Sequence, residues 1–384
     1  MHVGLNLIFL VPGETGGMEV VARELIPALA AAAPPGMRLT AFINREAAGE
    51  RDAPWGQVVR AVTVPVNARN RAQWVAGEQA LLPRLAARAG VDLVHSLAST
   101  APAWGRFRRV VTVHDLIYAR FPDAHSGIRD LGMRALVPLA VRRSQRVIAD
   151  SHSTREDLIE LLKVSHERID VVPLGLGSVR REQPLSEREV RARLDLGERG
   201  VVLSLSAKRA HKNLLALIEA FARLPAAGRP VLVLPGYPTA HERDLRERAR
   251  ALGIESDVRF PAWISPAELE GLWAIADAFV FPSLYEGFGL PVLEAMARGV
   301  PVACSNASSL PEVAGDAALL FDPRDEGAIA HALARLLSDR ALADRLRALG
   351  LARAREFTWE RTARLTLESY GRALESTRTR QSRA

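Results

Sequence analysis

A chain of 384 residues, 48% of them apolar, is too long for one ordinary hydrophobic core and suits two domains. Its single cysteine, Cys304, excludes an intramolecular disulfide and is typical of a reducing cytoplasm. The net charge of +7 is compatible with an anionic membrane surface or a phosphorylated substrate, whereas no nucleic-acid partner is expected because no binding motif accompanies the basic clusters.

The apolar run from Val3 to Val11 has the length of a strand and is interrupted by Gly4 and Asn6, so it is too short to cross a membrane. No basic stretch precedes this run and no small-residue cleavage site follows it, and we therefore expect neither a signal peptide nor a transmembrane helix. A cytoplasmic protein is expected, with weak attachment to the anionic inner membrane face as a further hypothesis that rests on the basic charge.

A glycine turn at residues 12–17 follows this strand and leads into a helix from Met18 to Ala32. Strand, turn and helix make the first half of a βαβ unit, in which Gly16 and Gly17 either admit a ligand close to the backbone or only form a tight turn. The alternation of apolar runs and helical patterns that follows predicts a parallel sheet with helices on both faces. Its strands are predicted at 39–43, 58–64, 92–95 and 109–113, with a helix at 74–89.

His114 and Asp115 follow the fifth predicted strand. Ligands of open α/β sheets bind beyond the carboxyl ends of the strands, so these two residues form a candidate site. A helix at 128–142 and a strand at 146–149 come next, and the hydroxyls of Ser151 and Ser153 are predicted to cap the helix after them. The first domain then ends with a strand at 169–172 and a charged stretch to about Arg188, which we interpret as a linker.

A second cycle of strands and helices begins at Val201 and continues to the paired helices that follow Asp325. The whole pattern predicts an α/β fold with two doubly wound Rossmann-like domains, whose glycine loops face each other across a central cleft. The strands of this cycle are predicted at 201–205, 231–234, 258–260, 278–281, 300–303 and 318–321, and its helices at 213–224, 240–252 and 267–275.

A basic loop at residues 206–213 joins a predicted strand to a helix and contains Lys208, Arg209 and Lys212. Cations normally avoid the positive end of a helix dipole, so this cluster indicates an anion bound between the cations and the helix. As charges they could stabilise a departing nucleoside diphosphate. The alternative is a solvated loop with no ligand.

A glutamate loop follows the predicted strand at 278–281 and leads into a helix with Pro291 in its first turn. Gly287 and Gly289 allow close approach of a ligand, and the helix offers unpaired N–H groups that suit a diphosphate. Glu286 and Glu294 flank this anion site, where carboxylates are expected to accept hydrogen bonds from neutral hydroxyls. A molecule with a sugar at each end of a diphosphate fits this pattern, although glycine turns alone are weak evidence.

This glutamate loop closely resembles the signature of family 4 glycosyltransferases, which are retaining enzymes of the GT-B fold. The resemblance spans nearly the whole chain, from Gly16 to about Trp359. It implies that Glu286 contacts hydroxyls of the donor sugar, that Glu294 contacts the ribose, and that the backbone of residues 288–290 contacts the phosphates and the sugar. The donor-binding residues implied in this loop are Glu286, Gly287, Phe288, Gly289, Leu290 and Glu294.

The basic loop carries the resemblance further, because Lys212 followed by Asn213 matches a lysine that holds the diphosphate. Lys208 and Arg209 compete for the basic position before it, since Ala-Lys replaces the usual Gly-Arg pair. Ile264 begins a segment that borders the nucleotide base in this family.

In the N-terminal half, Gly16 and Gly17 match the two glycines that follow the first strand of family members. His114 matches a histidine whose backbone or ring lies beside the transferred sugar. The domains implied are an acceptor domain at residues 1–178, a nucleotide-sugar domain at 187–357, and a C-terminal helix at 358–384 that packs back on the acceptor domain. Acceptor groups are expected at the loops 67–74 and 118–126.

The catalytic residues that the resemblance implies are His114, Lys212 and Glu286. Glu286 could act as a nucleophile, as a carboxylate does in retaining glycoside hydrolysis. The family resemblance implies instead that Glu286 contacts sugar hydroxyls. We therefore predict front-face displacement, in which the leaving phosphate oxygen deprotonates the incoming hydroxyl and cations support the departing charge. No cofactor and no metal ion is expected, because basic residues do this work and no metal-ligand spacing is found.

The leading functional hypothesis is a transferase that moves a hexose from a nucleoside diphosphate to a glycan or a lipid-linked acceptor. Whole-chain resemblance to bacterial mannosyltransferases favours GDP-mannose, while UDP-sugars and dTDP-rhamnose stay open as donors. An epimerase or a phosphorylase of the same fold is less favoured. A scaffold that binds a nucleotide without catalysis is a further alternative, against which the presence of Glu286, Glu294 and Lys212 argues.

Overall fold

A computed structural model describes residues 1–121, 128–177 and 183–375. The chain divides into two compact units, Met1–Gly177 with Phe357–Ala384, and Ser178–Glu356. We call them unit 1 and unit 2. Unit 1 is discontinuous, because the chain leaves it after residue 177 and returns to it at residue 357.

Unit 1 is built on a seven-stranded sheet in which every neighbouring pair is parallel. The order along the sheet is β3-β2-β1-β4-β5-β6-β7. Strands β2 and β3 are therefore added on one side of β1, and strands β4 to β7 on its other side. Its strands are β1 (His2–Leu7), β2 (Arg38–Ile43), β3 (Arg60–Thr63), β4 (Leu93–Ser96), β5 (Arg108–Val113), β6 (Arg146–Ala149) and β7 (Ile169–Val171).

Three helices of unit 1 begin at a polar side-chain cap, namely Asn44, Asn70 or Ser151. Ser151 accepts a hydrogen bond from the backbone N–H of Thr154 at 3.0 Å, as predicted, whereas Ser153 lies inside the helix. The helices are α1 (Gly17–Ala32), α2 (Arg45–Ala48), α3 (Pro54–Gln57), α4 (Arg71–Ala76), α5 (Leu82–Arg88), α6 (Ile117–Arg120), α7 (Ile128–Arg143) and α8 (His152–Leu162), with a π turn (Gly77–Leu81) between α4 and α5.

Unit 2 is built on a six-stranded parallel sheet with the order β10-β9-β8-β11-β12-β13. This is the strand order of a dinucleotide-binding Rossmann domain, with its switch point between β8 and β11. The strands are β8 (Val201–Leu203), β9 (Val231–Val233), β10 (Val258–Arg259), β11 (Ala278–Phe281), β12 (Val302–Ser305) and β13 (Ala318–Phe321).

Two helices of unit 2 begin with a capping box, in which Ser186 and Glu189, and again Ser265 and Glu268, satisfy each other's backbone N–H groups. The helices are α9 (Glu187–Leu194), α10 (Leu214–Ala222), α11 (His241–Ala251), α12 (Pro266–Ile275), α13 (Leu290–Ala297), α14 (Leu310–Ala314), α15 (Glu326–Ser338) and α16 (Arg340–Ala354). Helix α9 thus begins within the stretch interpreted as a linker, of which residues 178–182 lie outside the described residues.

The last described helix, α17 (Trp359–Glu375), belongs to unit 1 and packs against α1, β5 and β6. Tyr370 on this helix is fully buried, and its hydroxyl lies 2.7 Å from Nδ1 of His95 on β4. The Thr362 hydroxyl donates to the carbonyl oxygen of Pro173 at 2.8 Å. Residues 376–384 of the predicted helix lie outside the described residues.

Two predicted elements of unit 1 differ from the structure. The strand predicted over Val3–Val11 ends at Leu7, because the N–H of Leu10 turns back to the carbonyl oxygen of Leu7. The carbonyl oxygens of Ile8 and Leu10 then bind the Asn44 side chain instead of a neighbouring strand. The helix predicted over 74–89 is present but is broken by the π turn.

The cores of both units consist of apolar strands covered by helices, with Cys304 buried in β12 as a free thiol. Of the helices that the structure describes, none is both long enough and apolar enough to cross a membrane.

Candidate functional site

The switch point of the unit 2 sheet brings together the two loops singled out in the sequence. Strands β8 and β11 pair directly, with Leu203 opposite Phe279. The basic loop therefore begins beside the strand that leads into the glutamate loop. The backbone N–H of Leu284 donates to the carbonyl oxygen of His211 at 2.8 Å, which fastens the two loops to each other.

Lys212 and Glu286 form an ion pair at this point, with Nζ and Oε1 2.6 Å apart. Their side chains are 17% and 10% exposed, so the pair is largely removed from water but open on one side. The Lys212 ammonium also lies 5.6 Å from the centre of the Phe281 ring. Only three of the 51 basic residues in the chain are lysines, namely Lys163, Lys208 and Lys212.

Asn213 fixes the end of the basic loop. Its backbone adopts a left-handed conformation with a φ of 58°, which asparagine tolerates better than most residues. Its side-chain amide donates to the carbonyl oxygens of Pro282 and Pro323 at 3.2 and 2.6 Å. The residue after Lys212 therefore holds the loop against the segments that follow β11 and β13.

Lys208 lies in a different environment from Lys212. Its side chain is completely buried, its Nζ donates to the carbonyl oxygen of Gly236 at 2.8 Å, and the carboxylate of Glu242 lies 3.3 Å away. Burial lowers the pKa of Lys208, and Glu242 opposes that shift. The Lys208 ammonium thus binds groups within unit 2. Arg209, the next residue, is half-buried and therefore partly open to solvent.

The backbone of the glutamate loop is held by two serines that the sequence reasoning missed. The N–H of Glu286 donates to the Ser308 hydroxyl at 2.8 Å. The hydroxyl of Ser309 lies 3.0 Å from the carbonyl oxygen of Glu286 and 2.6 Å from that of Phe288. Because Ser309 is fully buried, these contacts fix the path of the chain into α13.

Gly289 and Leu290 lie where this path enters the helix. Gly289 has a φ of 117°, and a Cβ atom there would lie 2.7 Å from a methyl carbon of Leu310, so the position requires glycine. Helix α13 begins at Leu290, with Pro291 in its first turn as predicted. Gly287 precedes this turn in the same loop.

Replacing Ser309 by alanine should lower the free energy of unfolding of unit 2 by about 1–2 kcal/mol, because a buried hydroxyl no longer donates to the backbone carbonyl oxygen of Phe288, and that of Glu286 keeps the Ser308 hydroxyl as donor. Hydrogen exchange of the α13 amides measures this change locally. Ser256→Ala is the control, since its hydroxyl does not support this loop. Equal exchange in both variants would contradict the assigned role.

Glu294 lies one helical turn beyond the start of α13 and is partly buried. Removal from water raises its pKa to about 6; Arg298 opposes this shift and Glu270 adds to it. Arg298 binds the carboxylate of Glu270 instead, with Nε 3.1 Å from Oε2, and donates to the carbonyl oxygen of Glu294 at 3.1 Å. Within the described residues the Glu294 carboxylate makes no hydrogen bond, so it is available to accept from a ligand.

Ile264 follows β10, on the same sheet and beyond the same carboxyl edge as the two loops. The side chain is half-buried and directly precedes Ser265, which caps α12. Its neighbour Trp263 is 78% exposed.

In unit 1, Gly16 and Gly17 form the entry to α1. Gly16 has a φ of 59°, which favours glycine, and no atom lies within 4 Å of a Cβ built at either residue. The backbone is therefore open on this side, as close approach of a ligand requires. The loop before it is fixed by the Gly13 N–H, which donates to the Glu19 carboxylate at 2.7 Å.

His114 lies directly after β5, and both of its ring nitrogens are engaged. Nδ1 lies 2.6 Å from Oδ2 of Asp150, and Nε2 lies 2.8 Å from the carbonyl oxygen of Leu97. Burial lowers the pKa of the imidazole, but the Asp150 carboxylate overcomes this effect and raises the pKa to about 9. Of the predicted acceptor loop 118–126, residues 122–126 lie outside the described residues.

Clusters of three or more histidine, cysteine, aspartate or glutamate side chains that could hold a metal ion are not found in the described ranges. The predicted donor-binding residues of unit 2 lie along one edge of its sheet, with Lys208 turned into the interior. Gly16, Gly17 and His114 belong to unit 1.

Comparison with known proteins connects this geometry to a family. Residues 15–177 match the model described as "Glycosyltransferase Family 4", and residues 186–351 match the one described as "Glycosyl transferases group 1". The "O-antigen chain mannosyltransferase B" of Escherichia coli is 33% identical over 266 residues, which are 68% of this chain and 70% of the relative.

A second relative, the "Serotype-specific mannosyltransferase WbdA" of Escherichia coli, is 32% identical over 70% of this chain. The match covers 34% of that longer protein. Among solved structures, Anabaena Alr3699/HepE in complex with UDP-glucose has a TM-score of 0.74 and 22% identity, and covers 96% of this chain and 100% of that one. The likeness extends over both Rossmann-like domains, and the chain therefore belongs to glycosyltransferase family 4, with the fold of a GT-B enzyme.

Proposed function

We propose that this glycosyltransferase is a retaining hexosyltransferase that moves mannose from GDP-mannose to a glycan or a lipid-linked acceptor. The observation that carries the proposal is the ion pair of Lys212 and Glu286 at the switch point of unit 2, beside the N-terminus of α13. This position is the one at which open α/β sheets bind ligands. The two curated relatives reported above are named as mannosyltransferases, which supports mannose as the sugar.

The residues of unit 2 have distinct roles in this proposal. Arg209 and Lys212 bind the diphosphate, and Arg209 takes the first position because the Lys208 ammonium is committed to Glu242 and Gly236. The backbone of residues 288–290 contacts the phosphates and the sugar. Glu286 accepts hydrogen bonds from sugar hydroxyls.

The open carboxylate of Glu294 binds the ribose hydroxyls, and Ile264 borders the base. Because the pKa of Glu294 is raised to about 6, donor binding should weaken as the pH falls through that value and the carboxyl group becomes protonated. In unit 1, Gly16 and Gly17 leave the backbone open to substrate, and His114 lies beside the transferred sugar.

The transfer is proposed to occur on one face of the sugar. The bond between the anomeric carbon and the phosphate oxygen breaks, the acceptor oxygen bonds to the same face, and the acceptor proton goes to the leaving phosphate oxygen. The pairing of Glu286 with Lys212 supports this route, because a carboxylate bound to a cation is a weaker nucleophile. Arg209 and Lys212 take the electrostatic role that a divalent cation has in metal-dependent transferases.

A thermal-shift panel with GDP-mannose, GDP, UDP-glucose, UDP-N-acetylglucosamine, UDP and dTDP-rhamnose tests the donor. A ligand at 100 times its Kd stabilises the folded state by about 2.7 kcal/mol, which corresponds to a rise in Tm of about 5 °C or more. We expect this rise with GDP and GDP-mannose alone. Glu294→Gln should reduce it, whereas Glu247→Gln on the exposed face of α11 should not.

A rise with UDP- or dTDP-sugars alone would reject GDP-mannose as the donor but would still agree with a glycosyltransferase. No rise with any of these nucleotides would reject donor binding and, with it, both the proposed transferase and the nucleotide-binding scaffold.

A further inference from the structure

The surroundings of His114 determine which protons its ring carries. A carboxylate oxygen of Asp150 lies 2.6 Å from Nδ1 and the carbonyl oxygen of Leu97 lies 2.8 Å from Nε2. A carbonyl oxygen and an ionised carboxylate only accept hydrogen bonds. With Asp150 ionised, both ring nitrogens donate, and only the doubly protonated imidazolium has two N–H groups.

The environment of Asp150 points to the same state. This side chain is 2% exposed, and no arginine or lysine of the described part of the chain pairs with it. Its second oxygen, Oδ1, is buried without a hydrogen-bond partner among those residues. A buried carboxylate is costly unless a cation neutralises it, and His114 is the group placed to do so.

Other charged and titratable groups near His114 do not reverse this conclusion. Asp115, the next residue along the chain, adds a second negative charge that favours the cation. His95 on β4 binds Tyr370 and Thr112, and burial lowers its pKa to about 3, so it stays neutral. The hydroxyl of Thr154 on α8 donates to the backbone carbonyl oxygen of His114 at 3.3 Å and leaves the ring untouched.

We propose that Asp150 is a positioning residue for sugar transfer, which holds His114 as an imidazolium with both N–H groups bound inside unit 1. His114 then acts as a fixed positive charge beside the transferred sugar and has no lone pair with which to deprotonate the acceptor hydroxyl. The inference rests on the proposed function, and it explains why the acceptor proton must leave by way of the phosphate oxygen.

The charge state is testable without any substrate. Full-length protein labelled with ¹⁵N-histidine is followed by NMR between pH 5 and 10, and His114→Gln identifies the resonances. We expect both His114 nitrogens to carry protons up to about pH 8 and the ring to lose one of these two protons near pH 9. A His114 ring that is neutral at pH 7 would overturn the assignment, whatever reaction the protein catalyses.

Asp150→Asn tests the positioning role. Asparagine can still accept from Nδ1, so the ring keeps its orientation, but the charge that sustains the imidazolium is lost. We expect the pKa of His114 to fall by at least about one unit and kcat to fall about tenfold, with little change in KM. The loss of activity should begin at a lower pH than in the wild type.

Asp157→Asn is the matched control, because Asp157 is also a buried aspartate of unit 1 but pairs with Arg120. It should leave both the pH profile and the His114 resonances unchanged. Unchanged kcat and pH profile in Asp150→Asn would overturn the positioning role. If Asp150→Asn does not fold, the wild-type titration and the pH profile of wild-type kcat, expected to fall near pH 9, still decide the proposal.

Discussion

Replacing Lys212 by methionine is expected to lower kcat/KM for the sugar donor about a thousandfold, which is the upper range for losing one group that stabilises developing charge. Methionine keeps an unbranched side chain of similar length against the Phe281 ring but removes the ammonium. Two effects combine: the diphosphate loses a cation as it departs, and Glu286 loses the partner that lies 2.6 Å from its carboxylate.

Lys163→Met is the matched control for this prediction, because Lys163 is an exposed lysine at the end of α8 and has no place in the proposed site. It should retain wild-type kcat/KM. Circular dichroism and the Tm of both variants show whether they fold. A folded Lys212→Met variant with wild-type activity would contradict the catalytic role of the basic loop.

Replacing Tyr370 by alanine is expected to lower the free energy of unfolding of unit 1 by about 4 kcal/mol, the usual cost of truncating a buried aromatic side chain. Tyr370 is fully buried on α17, its ring packs edge-on to His95 with centres 5.4 Å apart, and its hydroxyl binds that histidine. The loss removes apolar packing and leaves a buried imidazole nitrogen without its partner.

Tyr370→Phe separates these two contributions, since it keeps the ring and removes only the hydroxyl; it should cost about 1–2 kcal/mol. Native-state hydrogen exchange of the β4 and β5 amides reports on unit 1 by itself, which matters because a chain with two units need not unfold in one step. Leu351→Ala, on the exposed surface of α16, is the control. Equal destabilisation by the alanine and phenylalanine variants would show that packing contributes nothing.

Much of the fold could be predicted from the sequence because its signals are local. Apolar runs of strand length, glycine turns and helical patterns lie next to one another along the chain, and parallel α/β sheets follow from that alternation. The strand predicted at Ala278–Phe281 has those limits in the structure. Errors arose where side chains from distant segments decide the path, as Asn44 does when it binds the backbone beyond β1.

For the candidate site, the sequence offers local motifs but not the contacts that distant segments make with them. Glu286 and Lys212 lie in loops and Glu294 lies in α13, and local motifs together with the family resemblance single them out, but the environment of Lys208 depends on Glu242, which comes from α11. Ser308 and Ser309 lie about twenty residues after the loop that they support, and Asp150 and His114 each follow one of two neighbouring strands, β6 and β5. Such pairings arise from strand order, which no short motif reveals.

The return of the chain to unit 1 has a consequence for its biosynthesis. A ribosome releases the polypeptide from the N-terminus, so residues 183–356 emerge and can fold before α17 has been made. Until then the faces of α1, β5 and β6 that α17 covers stay open, with His95 lacking Tyr370. The unit that is translated first is therefore completed last, and its nascent form is the one that a chaperone would need to shield.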